Sequence, residues 1–131
     1  EIGVRLVGSE MCIRDRDTLR KNGRLTGIKA VVATALNIKP VMGSTPEGTI
    51  CQLGQARGIK KALVKMVEQV AEDVKNSKDK ILAIAHCNCR DRAEAVKNMI
   101  LEKINVKDVI ILDTAGISSM YAADGGVIVV V

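Results

Sequence analysis

Three soft donors stand within four residues at His86-Cys87-Asn88-Cys89. An imidazole and two thiols that close together can ligate zinc or pass electrons. Zinc, however, needs a fourth ligand or an open water position. The remaining cysteines, Cys12 and Cys51, are distant in sequence. The tetrapeptide falls between an apolar run and a helical pattern, where in an α/β sheet ligands bind. It reads either as a thiol or metal centre on His86, Cys87 and Cys89, or as a turn that walls a pocket.

Two arginines form the next candidates. Arg24 follows Asn22-Gly23, and Arg57 precedes Gly58. Glycine allows a bend and a close backbone approach. The guanidinium offers a planar fork suited to carboxylate or phosphate. A plain solvated position is the alternative for each. A third cluster, Ser118-Ser119-Met120-Tyr121, is followed by Asp124-Gly125-Gly126. Two hydroxyls and a phenol beside a strand can donate to an anion, or the Asp-Gly-Gly run can simply redirect the chain.

Several chemistries are excluded. The chain has no GxxxxGK[ST] loop, no GxSxG elbow and no HExxH helix. A Ser-His-Asp triad would have to use His86, the single histidine, and no serine has a nucleophile's context. The net charge of +5 invites nucleic acid or an anionic surface. Tyr121 is the only aromatic residue, however, and one ring makes no stacking platform. The cysteine spacing is no disulfide framework, so reduced thiols in a cytoplasm fit better. No apolar run reaches bilayer length.

These candidates need elements to hold them. Apolar residues make up 47% of 131, with no Phe or Trp, which predicts one domain with a purely aliphatic core. Residues 1–16 show no clean period and resemble a translated sequencing adapter. They carry three Arg against Glu1, Glu10 and Asp15. They are expected to be a non-native leader outside the fold, the protein proper extending upstream of Asp17. Residues 17–25 read as a helix end stopped at Gly23. Apolar residues at 28, 31, 32, 35 and 36 predict a helix capped by Thr26. Residues 38–42 and 49–53 read as a hairpin, with Pro40 at an edge or strand end. Residues 58–75 form the clearest amphipathic helix. Residues 81–85 and 109–112 read as buried strands, with a helix capped by Asn88 or Asp91 between them. A helical turn over 115–121 and a strand over 127–131 complete the order. The alternation demands crossovers, so the fold expected is an α/β sandwich of two or three layers with a mixed sheet.

Taken in order, these segments resemble the DegV family. The run from Asp17 to Met42 is similar to its helix end, Gly-Arg turn, helix and Ile-Lys-Pro strand. The stretch Gly48–Leu63 resembles its next strand and Arg-x-x-Lys-Lys helix start. Residues 80–97 resemble the strand and His-centred loop of clostridial-type members, and 115–131 its C-terminal pocket segment. The resemblance covers residues 17–131 and identifies them as the family's C-terminal domain without its N-terminal one. It implies a lipid carrier, not an enzyme, that holds one long-chain fatty acid between two domains. The carrier would present that acid to a fatty-acid kinase, whose acyl-phosphate feeds phospholipid synthesis. No cofactor is implied. The implied ligand contacts are Tyr121, Ser118, Ser119, His86 and Gly125. Tyr121 stands where the family commonly has a histidine, and Asp124-Gly125-Gly126 replaces a Gly-Pro-Gly segment. Arg24 and Arg57 match arginines implicated in docking the kinase or handling the phosphoryl group.

Overall fold

The computed structural model describes residues 11–13, 38–44, 49–122 and 124–131. Strands β1 (Met11–Ile13), β2 (Ile38–Ser44) and β3 (Ile50–Arg57) come first, then helix α1 (Ile59–Asp73). A short 3-10 turn, Ser77–Asp79, leads into β4 (Ile81–His86) and α2 (Arg90–Leu101). Strand β5 (Asp108–Asp113), helix α3 (Gly116–Ala122) and strand β6 (Val127–Val130) follow. The helix expected over residues 26–37 and the helix end before it lie outside the described residues.

The six strands make one mixed sheet in the order β3-β2-β1-β6-β4-β5. Only β4 and β5 run parallel, joined by the α2 crossover. All the other neighbours are antiparallel. These directions put the carboxyl ends of β1, β3, β4 and β5 at one end of the sheet. Helices α1 and α2 start from that same end. Both pack on one face of the sheet, α1 over β1–β3 and α2 over β4 and β5, and they touch each other.

Periodicity explains the layers. In α1, Ala62, Leu63, Met66, Val67 and Val70 recur three and four residues apart and are buried. Ala93, Val96 and Ile100 do the same in α2. The sheet answers with Leu82 and Ile84 from β4 and Val127 and Val129 from β6, each fully buried. Period two then sends Ala83, Ala85, Ile128 and Val130 to the opposite face. The core is wholly aliphatic, as the composition predicts. Among the described residues, no helix is long and apolar enough to cross a membrane.

Four expectations need correction. The sequence places residues 11–13 in a leader outside the fold, yet their backbone forms β1, paired with β2 on one side and β6 on the other. A strand held by ladders on both sides needs few residues, and three are too few to show a period. Strand β5 is an edge, not a buried strand: Ile110 and Leu112 are 40% and 53% exposed. Its apolar run resembles a buried strand because Val109 and Ile111 pack on the core while their neighbours form an open apolar face. Neither Asn88 nor Asp91 caps α2; Cys89 holds the N-cap position without a side-chain bond. Pro40 sits inside β2, paired with Gln55 of β3. Strand β1 reaches only Val41 and Met42, so the missing N–H of Pro40 interrupts no described β1 bond.

Strand β3 passes into α1 through the single residue Gly58, with φ 80 and ψ 156. That region is essentially closed to residues with a Cβ. Gly58→Ala is therefore expected to destabilise the fold by about 1–3 kcal/mol. Chemical denaturation checks this; an unchanged midpoint would show that the corner relaxes freely.

A candidate ligand site at the carboxyl ends of β4 and β5

Beyond His86 the chain leaves β4 without leaving its neighbour. The Cys87 N–H donates to the Gly126 carbonyl at 2.9 Å, and the Gly125 N–H donates to the Cys87 carbonyl at 2.8 Å. The β4–β6 ladder thus continues past the strands into the turn that precedes β6. Asn88 then reverses direction with φ 55, a left-handed conformation that asparagine tolerates better than most residues. Its side-chain amide donates to the Asp124 carboxylate at 3.1 Å.

Arg92, in the first turn of α2, closes the cluster. Its Nη1 donates to the Gly125 carbonyl. A side chain at position 125 would begin 2.7 Å from that nitrogen, and φ there is 76. The positive φ is what favours glycine at 125, since the flexible Arg92 tip could shift aside. One guanidinium N–H is spent here, and the others remain for an anion.

His86 is the buried member, only 2% exposed. The Cys89 backbone N–H donates to its Nδ1 at 3.5 Å, so that nitrogen acts as an acceptor. The Asp113 carboxylate lies 3.3 Å from the same nitrogen, within ion-pair distance. The Asp113 side chain is 77% exposed, which limits the strength of that pair. Nε2 is left buried without a partner among the described residues.

The loop after β5 adds hydroxyls. The Thr114 N–H donates to the His86 carbonyl at 2.8 Å, tying the two strand ends together. Ser119 donates through Oγ to Thr114 Oγ1 at 2.9 Å. Ser118 is exposed.

The structure therefore gathers His86, Ser119 and Gly125 of the sequence candidates at one end of the sheet, with Ser118 nearby. The Tyr121 side chain and Arg24 lie outside the described residues. Arg57 ends β3 at the same sheet end, four strand spacings from His86, or about 19 Å. Sequence reasoning missed Arg92, Asp113 and Thr114. The signal for the last two was their place directly after an apolar strand that precedes a second polar cluster.

The thiol or metal reading gains nothing from this geometry. Cys89 Sγ turns to the Gly126 carbonyl at 3.4 Å. Among the described residues, no three of His, Cys, Asp or Glu are placed to hold a metal ion. What the cluster offers instead is a set of donors: one guanidinium and three hydroxyls, suited to a carboxylate or phosphate oxygen.

Comparison with known proteins supplies context. Residues 8–131 match the family model described as "Uncharacterised protein, DegV family". A DegV domain-containing protein of Clostridium perfringens is 33% identical over 95 residues, covering 72% of this chain and 33% of that protein. One from Lactococcus lactis is 27% identical over 117 residues, covering 89% of this chain and 40% of the relative. The chain thus spans about a third to two-fifths of these curated relatives. Among solved structures, a DegV family protein from Ruminococcus gnavus, refined with vaccenic acid, superposes with a TM-score of 0.87 at 61% identity. It covers 95% of this chain and 45% of its own. The Streptococcus pneumoniae Fatty Acid Kinase (Fak) B3 protein, loaded with linoleic acid, gives 0.78 at 28% identity, covering 93% and 43%.

One group in the cluster has a testable titration. Burial pushes the Cys89 thiol above its ordinary value of 9.0, and Arg92 pulls it back in part. The folded state thus keeps this proton longer than the unfolded state does. The associated stability is present below pH 9 and is lost as pH rises through the folded value. Cys89 is expected to alkylate more slowly with iodoacetamide at pH 8 than it does in urea, and more slowly still in Arg92→Ala. Peptide mass spectrometry reads both rates; equal rates in buffer and urea would refute the burial effect.

Proposed function

The chain belongs to the DegV family, and from that premise we propose that it forms one lobe of a carrier for a long-chain fatty acid, presented to a fatty-acid kinase. The observation that carries this reading is the meeting of a donor cluster with an open aliphatic face at one sheet end. On the face away from α1 and α2, Ala83 and Ala85 of β4 lie between Ile110 and Leu112 of β5 and Ile128 and Val130 of β6. Small residues flanked by larger ones would give a shallow apolar trough along β4. It leads toward the end where Thr114, Ser119 and Arg92 gather.

The energetics agree. A sixteen-carbon chain gains roughly 12 kcal/mol gross at about 0.8 per buried CH₂. An unpaired buried carboxylate would forfeit much of that, and Ser118, Ser119 and His86 are the groups proposed to meet it, with Gly125, whose N–H is given to Cys87, shaping the turn beside them. Tyr121 would donate through its phenol, which does not titrate near neutrality as the histidine it replaces would. The chain contributes binding and orientation, and the kinase performs the phosphoryl transfer. The resulting acyl-phosphate would serve phospholipid synthesis in a cytoplasm that keeps the thiols reduced. Arg24 and Arg57 are the proposed kinase contacts.

One trough supplies only one wall of a tunnel, so a second lobe is part of this reading. A protein of full family length is expected to co-purify with one equivalent of long-chain fatty acid, seen by denaturing mass spectrometry. Residues 1–131 alone, which keep β1, are expected to bind it weakly or not at all by calorimetry. A folded full-length protein that takes up no fatty acid would sink the carrier reading.

Separately, Arg57→Ala in the full-length protein is expected to keep its lipid and lose most acyl-phosphate formation. Unchanged turnover would remove Arg57 from the docking role.

A further inference from the structure

Helix α3 is too short to place itself. Its seven residues, Gly116–Ala122, fall well below the length at which an isolated helix is stable. Its position is therefore set by what holds its two ends. Toward the start, Ser119 is tied to Thr114 at 2.9 Å, and the Thr114 N–H is tied to the His86 carbonyl at 2.8 Å. At the other end Ala122 is fully buried, and the turn into β6 begins directly after it.

That turn is gripped from the β4–α2 connection. Cys87 holds Gly125 and Gly126 through its backbone. The Asn88 amide donates to the Asp124 carboxylate at 3.1 Å, and Arg92 Nη1 donates to the Gly125 carbonyl. The two side-chain bonds do more for position than for stability. The Asn88–Asp124 bond is exposed, and water competes for both partners, so its net contribution is small. To make it, Asn88 adopts a left-handed backbone, φ 55, that disfavours residues with a Cβ. Arg92 directs a charged donor at a neutral carbonyl, which gives a stronger bond than a neutral donor would.

We propose that Asn88 and Arg92 are positioning residues for the ligand's head group. They form a clasp that fixes the turn after α3, and through it the helix that carries Ser118, Ser119 and Tyr121. The proposal rests on the carrier reading. Neither residue has to touch the fatty acid. Hydrogen bonds weaken steeply as distance and angle drift, so a slackened turn moves the donors off the carboxylate. The acyl chain, held by non-directional apolar contact, is indifferent to the same displacement.

The test uses a protein of full family length, stripped of lipid, with palmitic acid and hexadecanol as probes in equilibrium dialysis. The two share a chain length and differ in the carboxylate. Arg92→Ala, Asn88→Gly and Asp124→Ala are each expected to weaken palmitic acid binding by about fivefold or more. Hexadecanol binding stays unchanged in all three. Asn88→Gly keeps the left-handed backbone and removes only the amide. The three changes remove a positive charge, no charge and a negative charge, so a shared weakening does not come from charge. Electrostatics alone would tighten the acid in Asp124→Ala. Arg92→Lys, which keeps a charged donor, recovers part of the lost affinity. Equal weakening of acid and alcohol would make the clasp a support of the fold alone, and unchanged acid binding would leave it without a role; either overturns the proposal. Tighter acid binding by Asp124→Ala does the same. If Arg92→Ala does not fold, Asn88→Gly decides between these outcomes. Wild-type protein that binds neither probe overturns the carrier reading, and the proposal falls with it.

Discussion

Two backbone hydrogen bonds between Cys87 and the Gly125-Gly126 turn govern the functional end of this molecule. They extend a strand ladder into a region that would otherwise be two independent loops. Once that pairing exists, the remaining contacts follow by proximity. Arg92 can reach the Gly125 carbonyl only because the turn is pinned beneath α2. Asn88 meets Asp124 only because both flank the same pair of bonds. A net backbone bond is worth about 1 kcal/mol, but these two also fix where α2 starts.

That end of the sheet gathers charges of both signs. Helices α1 and α2 both direct their N-termini there, and neither is capped by a side chain. Arg57 and Arg92 stand there with Asp91, Asp113 and Asp124. His86 keeps a buried Nε2 without a partner among the described residues, at a cost of about 1–3 kcal/mol. Local stability is thus given up at several points along one edge of the fold. Such concessions cluster where a protein meets other molecules.

Much of the architecture was legible because long periodic segments carry redundant signals. The buried face of α1 follows directly from the spacing of Ala62, Leu63, Met66, Val67 and Val70. Strand β1 was illegible because its three residues take their conformation from two neighbours rather than from their own sequence. Strand β5 misled because Ile110 and Leu112 are as apolar as Val109 and Ile111; nothing local says that one face stays open. At the site, His86 and Gly125 stood out by type. Asp113 and Arg92 did not, since a lone charge beside a helix or strand is usually solvated. Their roles depend on the turn between residues 123 and 126, which no spacing rule connects to position 92.

Strand β6 enters the sheet between β1 and β4, near its middle, although it is the last of the described strands in sequence. The hairpin β2–β3 and the β4–α2–β5 unit are each local and can form early. The seam that joins them cannot. Met11 must wait for Val129, almost the whole described chain away, so the sheet closes only after β6 has left the ribosome. Until then the nascent chain is two unjoined β segments with open inner edges. The chain is therefore most exposed to aggregation in the interval before β6 emerges and joins the two segments.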